Sequence, residues 1–296
     1  MAVHSREAFM TSHDQSVLRG LFIVAMSAIA LAVAPGCQRG DRATEEILRK
    51  NAEARGGLEA WRKVQSMSMT GNLEAGLARN PVDLARAYIR TRTESKAEAR
   101  RALLHRKDEA PKQVRLPFVM EMKRPLQSRL EIRFQGDTAV QVFDGSRGWK
   151  LRPYLGRHEV EPYSAEELRL ASQQAELDGP LIDAAAKGSR VELLGTEPVE
   201  GRDAYKLKIT LASGQVRSVW GDTQTFLDVK VDGTRTMDGK PRPVWTFFRD
   251  YRPVDGLLIP HTLETTVEGV VGTEKILVDR VSLNPELAVA RFEKPE

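Results

Sequence analysis

Cysteine is almost missing from this chain: Cys37 stands alone among 296 residues. One thiol excludes an intramolecular disulfide framework and a thiolate metal cluster. Histidine is nearly as scarce. His4 and His13 fall in the first 36 residues, and His105, His158 and His261 stand far apart. No HExxH or paired-ligand spacing links them, so neither a metal nor a cofactor is expected. There is no GxSxG elbow, no P-loop and no GxGxxG turn. Carboxylates are plentiful, but their settings are structural. Glu131 alternates with bases on a strand, Glu166 and Glu167 follow a helix cap, and Asp178 and Asp183 flank a turn, which does not make a glycosidase pair. Long apolar runs are absent too. The stretch Leu21 to Val33 has 13 residues, short of the roughly 20 that a membrane-spanning helix needs. These absences lead to the expectation that the protein is not an enzyme.

What is present begins with the position of the one cysteine. Arg19 precedes the apolar run, and the run ends in Ala34-Pro35-Gly36-Cys37. Residues 1–36 therefore read as a signal peptide. The four residues resemble the bacterial lipobox, in which small residues precede a cysteine that is acylated and becomes the new N-terminus. Ala34 and Pro35 depart from the residues that motif prefers. The alternative is an ordinary signal peptide cleaved near Ala34, leaving Cys37 a free thiol. Acyl chains contribute about 0.8 kcal/mol per buried methylene, so two or three of them hold a protein on a membrane. Gln38 follows the cysteine. An Asp there would resemble the inner-membrane retention signal, so the expected address is the periplasmic face of the outer membrane.

Residues 37–43 read as a polar tether, and Thr44-Glu45-Glu46 as the cap of a helix that Gly56-Gly57 stops. Leu58 to Val64 reads as a second helix with Leu58 and Trp61 on one face. Next come strands. Met67 and Met69 alternate with serines before Gly71. From Phe118 to Trp149, Phe118, Met120 and Met122 alternate with Val119, Glu121 and Lys123, and Leu130, Ile132 and Phe134 alternate with Arg129, Glu131 and Arg133. Val140 and Val142 follow. Period-two alternation gives each strand one apolar and one wet face. Gaps as short as Gly136-Asp137 and Asp144-Gly145 permit only antiparallel neighbours. Two further helices are expected, one opened by the capping box Ser164-Ala165-Glu166-Glu167 and one at Leu181 to Lys187. The remainder is strand after strand, including Leu207 and Ile209, Trp220, and Phe248. The expected architecture is mainly β, an unclosed antiparallel barrel of about 11 strands with short helices as a lid over an apolar cavity.

Residues 76–115 interrupt the pattern. Eleven Lys and Arg face five acids there, a net +6 against +4 for the whole chain. Asn80-Pro81 and the stretch from Glu94 to His105 favour helix. The segment reads as a solvated hairpin insertion. A second reading has Arg86, Arg90, Arg92, Arg100, Arg101, Arg106 and Lys107 resting on anionic headgroups, at about 1 kcal/mol per base. Tyr88 is its one aromatic, too little for base stacking, and no nucleic-acid partner is expected.

The strings ILRKNAEARGGLEAWRKVQSMSMTG, FDGSRGW, YSAEEL, LDGPLIDAAAKG, VELLGTEPVEGRDAYKLKITL and FRDYRPVDGLLIPHTLE resemble, as a set, the bacterial outer-membrane lipoprotein-sorting family of LolA/LolB-like proteins. The resemblance spans residues 44–75 and 116–290, and residues 44–296 are read as one such domain carrying the 76–115 insertion. It implies a cavity that holds the acyl chains of lipoproteins in transit, and so a lipid or acylated lipoprotein as partner. Candidate lining residues are Met69, Phe118, Met120, Leu130, Ile132, Phe134, Val140, Val142, Leu207, Ile209, Trp220 and Phe248. Each has a plain alternative as filled core. Two other functions stay open: an envelope scaffold or complex subunit with a packed barrel and protein partners, and an enzyme built on this sheet. The lining decides among the three. Continuous apolar surface favours lipid, a filled interior favours scaffold, and converging carboxylates favour catalysis.

Overall fold

The computed structural model describes residues 35–75, 114–153, 156–237, 240–270 and 272–296. Helices α1 (Pro35–Ala54) and α2 (Leu58–Lys63) lead into β1 (Ser66–Ala75), β2 (Val114–Lys123), β3 (Gln127–Phe134), β4 (Asp137–Phe143), β5 (Gly148–Arg152) and β6 (Arg157–Pro162). Helix α3 (Ala165–Gln174) and turns follow. Then come β7 (Arg190–Val199), β8 (Arg202–Thr210), β9 (Val216–Asp222), β10 (Asp228–Met237), β11 (Lys240–Val254), β12 (Leu257–Val267) and β13 (Glu274–Leu283), with a final 3-10 turn, Val289–Phe292.

All 13 strands form one sheet, ordered β6-β5-β4-β3-β2-β1-β13-β12-β11-β10-β9-β8-β7. Every described strand pairing is antiparallel. The chain starts in the middle at β1, meanders to the β6 edge, then resumes at the β7 edge and meanders back. β6 and β7 end the order without pairing, so the barrel is unclosed. Local turn chemistry drives each meander. Gln135-Gly136, Glu200-Gly201 and Asp255-Gly256 all have positive φ at both positions, the two-residue hairpin geometry that matches strand twist.

Four expectations about elements are corrected. Helix α1 starts at Pro35, not Thr44, and runs through the residues read as a tether. Proline suits a first helical turn, where its missing N–H costs nothing. Thr44 is instead buried, and its Oγ1 accepts the Leu193 N–H at 3.2 Å. The helix expected at Leu181 to Lys187 is a series of turns. Asp183 has a φ of 53°, outside the helical region, and Arg62 holds its carboxylate at 2.8 and 3.0 Å. The barrel has 13 strands, not about 11. Edge strand β6, RHEVEP, shows no apolar alternation because only one of its sides is paired. Finally, β1 does not end at Gly71. It continues through Leu73 to Ala75, and Gly71 marks a bulge where a Cβ would lie 1.9 Å from the Leu277 carbonyl oxygen.

Two apolar clusters join helices to sheet. Under α2, Trp61, Val64, Met67, Met122, Leu177, Ile182, Leu257 and Ile259 are buried together. Under α1, Ile47 and Leu181 cover Leu207, Ile209 and Val219. At about 25 cal/mol per Å² of apolar surface, each large side chain so covered stabilises the fold by roughly 1.5–3 kcal/mol.

Candidate functional site

Strand register identifies the face of the sheet that looks toward the lid. Met67 and Met122 are paired and lie under Trp61. Residues paired across an antiparallel ladder share a face. The lid-side face therefore carries the rows Val281–Met69–Met120–Leu130 and Val278–Gly71–Phe118–Ile132. A further row, Phe248–Leu263–Ile276–Leu73–Leu116, crosses five strands. Phe134 holds the same phase on β3. Leu73, Leu116, Leu130, Ile132, Leu263, Ile276 and Phe248 are all half-buried and belong to none of the buried clusters.

The candidate residues thus divide. Met69, Phe118, Met120, Leu130, Ile132, Phe134 and Phe248 share the lid-side phase. Leu207 and Ile209 do too, but both are 0% exposed beneath Ile47 and Leu181, so they are filled core. Three candidates are corrected, since they face the other way. Val140 pairs with Glu131 and Val142 with Arg129, which puts both valines on the charged outer face. They are buried there because Phe292 of the C-terminal 3-10 turn packs on them. Arg291 pins that turn by bonding Glu121 at 2.8 Å and Glu131 at 3.0 Å. Trp220 pairs with Lys206 and Lys230. Its ring lies under both ammonium groups, at 5.3 and 4.2 Å, and its indole N–H donates to Glu197 at 2.6 Å. The basic candidates Arg86, Arg90, Arg92, Arg100, Arg101, Arg106 and Lys107 lie outside the described residues. Cys37 lies on α1.

Leu73, Leu116, Leu263 and Ile276 were not singled out from sequence. Their alternation continues across Gly71 and Pro117, which read as strand ends.

The lid is fastened by polar groups. Thr44, Ile47, Asn51 and Arg55 recur at helical spacing and all are buried on α1. Asn51 Nδ2 donates to the Phe226 carbonyl at 2.7 Å and to Asp228 Oδ1 at 3.0 Å. Arg55 donates to the Asp178 carbonyl at 2.8 Å and reaches Asp228 at 3.5 Å. Its guanidinium lies 4.6 Å over the Trp61 ring. Burial pushes the Asp228 carboxyl above its ordinary value, and Arg55 and Asn51 pull it back only in part. Asp178 also takes Arg124 at 2.7 Å and Lys187 at 2.5 Å. These groups border a polar cleft of about 640 Å³ between the β2–β3 turn, residues 172–189 and the β8–β9 turn. Its charges are mutually satisfied, as expected of structural groups rather than a reaction centre.

No family model matches the chain, and no curated protein matches it in sequence. Solved structures match in shape. A LolA superfamily protein from Nitrosomonas europaea aligns with a TM-score of 0.51 and 14% identity, over 85% of this chain and 97% of its own. The chain has a LolA-like fold. A DUF1329 family protein from Desulfovibrio piger aligns with a TM-score of 0.50 and 13% identity, covering 86% of this chain and 97% of its own. In this LolA-like sheet, one half of the lid-side face is packed shut and the other is left half-covered. That open half has the chemistry to accept an apolar ligand without directional bonds.

Proposed function

We propose that this protein is a lipid-anchored envelope protein that binds or hands on a hydrophobic ligand, the acyl chains of lipoproteins or another envelope lipid. It acts at the periplasmic face of the outer membrane, held there by acyl chains on Cys37, and it performs no covalent chemistry. The observation that carries the reading is the continuous apolar row from Phe248 to Leu116, with Leu130 and Ile132 beside it, half-buried on the lid side of the sheet. Apolar surface left in water costs about 25 cal/mol per Å². An alkyl chain removes that cost, and adaptable Met69 and Met120 at the margin suit chains of varied shape.

Native mass spectrometry of the full chain released from membranes tests this. The expected result is a co-purifying acyl lipid that is lost in Ile132→Glu while circular dichroism stays unchanged. A bare mass, with no uptake of added acyl chains, would overturn the reading in favour of an envelope scaffold. For the anchor, Cys37→Ser should move the protein from the membrane to the soluble periplasmic fraction, and continued membrane association would count against acylation.

A further inference from the structure

Arg217 is the one cation whose place on the lid-side face the register fixes beside the packed core of β8–β10. It pairs with Ile209 on β8, in phase with Leu207 and Val219. Its guanidinium extends over Gly233 of β10, where a Cβ would stand 3.2 Å from Nη2. A glycine at 233 thus makes the room that the guanidinium occupies. Gly233 in turn pairs with Val244 on β11, and Val244 with Val267 on β12. That row runs along the same face as Leu263 and Phe248, so the guanidinium lies at the end of the half-covered apolar face.

Its bonding is incomplete. Arg217 Nε donates to the Asp232 carbonyl at 3.3 Å. Among the described residues no carboxylate lies within 4.0 Å of it. The Asp232 side chain is spent on the Ser218 N–H at 2.6 Å. Glu176 attracts Arg217 from farther off, and its carboxylate sits 3.5 Å from Lys187. Arg169 of α3 adds a like charge from the lid side and also has no carboxylate partner among the described residues. Desolvation weakens Arg217's hold on its proton. Two guanidinium groups facing each other over apolar surface, with their terminal N–H donors unspent, are poorly stabilised until an anion bridges them.

We propose that Arg217 and Arg169 form an oxyanion subsite at the end of the apolar face, which takes the phosphate or carboxylate headgroup of the ligand. This rests on the reading of that face as an acyl-binding surface. The tail lies along the sheet, and the headgroup fixes its direction.

The test titrates the full chain with dodecyl phosphate, dodecanol and inorganic phosphate by calorimetry. Dodecyl phosphate should bind about tenfold to a hundredfold more tightly than dodecanol, the usual range for charge-assisted hydrogen bonds. Arg217→Gln should erase that margin and leave dodecanol affinity unchanged, and Arg217→Lys should retain part of it. Arg169→Gln, on an exposed helix position, should halve the margin or more without disturbing the sheet. If dodecanol binds with no margin for the phosphate, or the margin survives both Gln variants, the subsite is overturned while the acyl reading stands. If inorganic phosphate binds as tightly as dodecyl phosphate, the site serves a free anion and the headgroup assignment is overturned. If neither alkyl probe binds, the acyl reading falls as well, and phosphate binding that Arg217→Gln abolishes would then be the only support for an anion site.

Discussion

The two halves of the lid-side face differ in what covers them. Over β7 to β10, Ile47 and Leu181 close on Leu207, Ile209 and Val219, and nothing apolar is left over. Over β1 to β3 and β11 to β13, the rows through Leu130, Ile132, Leu263 and Ile276 continue past the helices and stay half-buried. Both halves have the same period-two chemistry. The difference lies in the lid, whose polar bolts, Asn51 and Arg55, tie α1 to β10 through Asp228. A lid fixed at one side leaves the other side free to serve a ligand. Stability and binding are thereby assigned to different strands of one sheet.

The largest effect should separate the halves directly. Leu207→Ala is expected to cost about 2–5 kcal/mol, because the site is closed on all sides, whereas half-buried Ile132→Ala should cost about 1 kcal/mol. Urea denaturation of both variants measures this, and equal costs would erase the contrast. Next, Asn51→Ala should lose about 1–3 kcal/mol by leaving Asp228 and the Phe226 carbonyl short of a donor. It should also raise amide exchange in α1 more than in β1 to β3. A uniform rise would show that the lid is not fixed locally.

Trp220→Phe tests which face matters. It removes the bond to Glu197, at about 1 kcal/mol, and should leave acyl uptake within about twofold of the unaltered protein. Loss of uptake would place the ligand on the outer face.

The smallest effect is a pH dependence. Burial, aided by Asp178 and opposed by Lys187, pushes the Glu176 carboxyl above its ordinary 4.5. A raised folded-state value means the folded protein holds that proton more tightly than the unfolded chain does. Its contribution is therefore full below pH 4.5 and is lost as pH rises through the raised value. Glu176→Gln should flatten the stability profile across that window, and an unchanged profile would mean that the cleft is wetter than it looks.

Much of this architecture was legible in the sequence. Turn dipeptides such as Asp255-Gly256 and alternation such as Leu130, Ile132 and Phe134 act within a few residues, so strands, hairpins and antiparallel order follow from them. The half-covered face was partly legible. Met69, Phe118, Met120, Leu130 and Ile132 share a phase that any correct pairing of β1, β2 and β3 preserves. Val140, Val142 and Trp220 were assigned to the wrong side. Apolar residues at alternate positions show that a strand has a buried face, but not which side of the sheet that face is on.

By itself the chain determined its period-two strands, its short turns and the amphipathic helix from Thr44 to Arg55, because each depends on neighbours a few bonds away. Only the tertiary structure decided the use of each face. The C-terminal turn brings Phe292 to Val140 and Val142, making a second apolar patch on a face that reads as charged. Asn51 meets Asp228 across 177 positions of sequence and so decides which strands the lid closes on. Such pairings rest on loop closure and register over long separations, which the local pattern of residues does not encode.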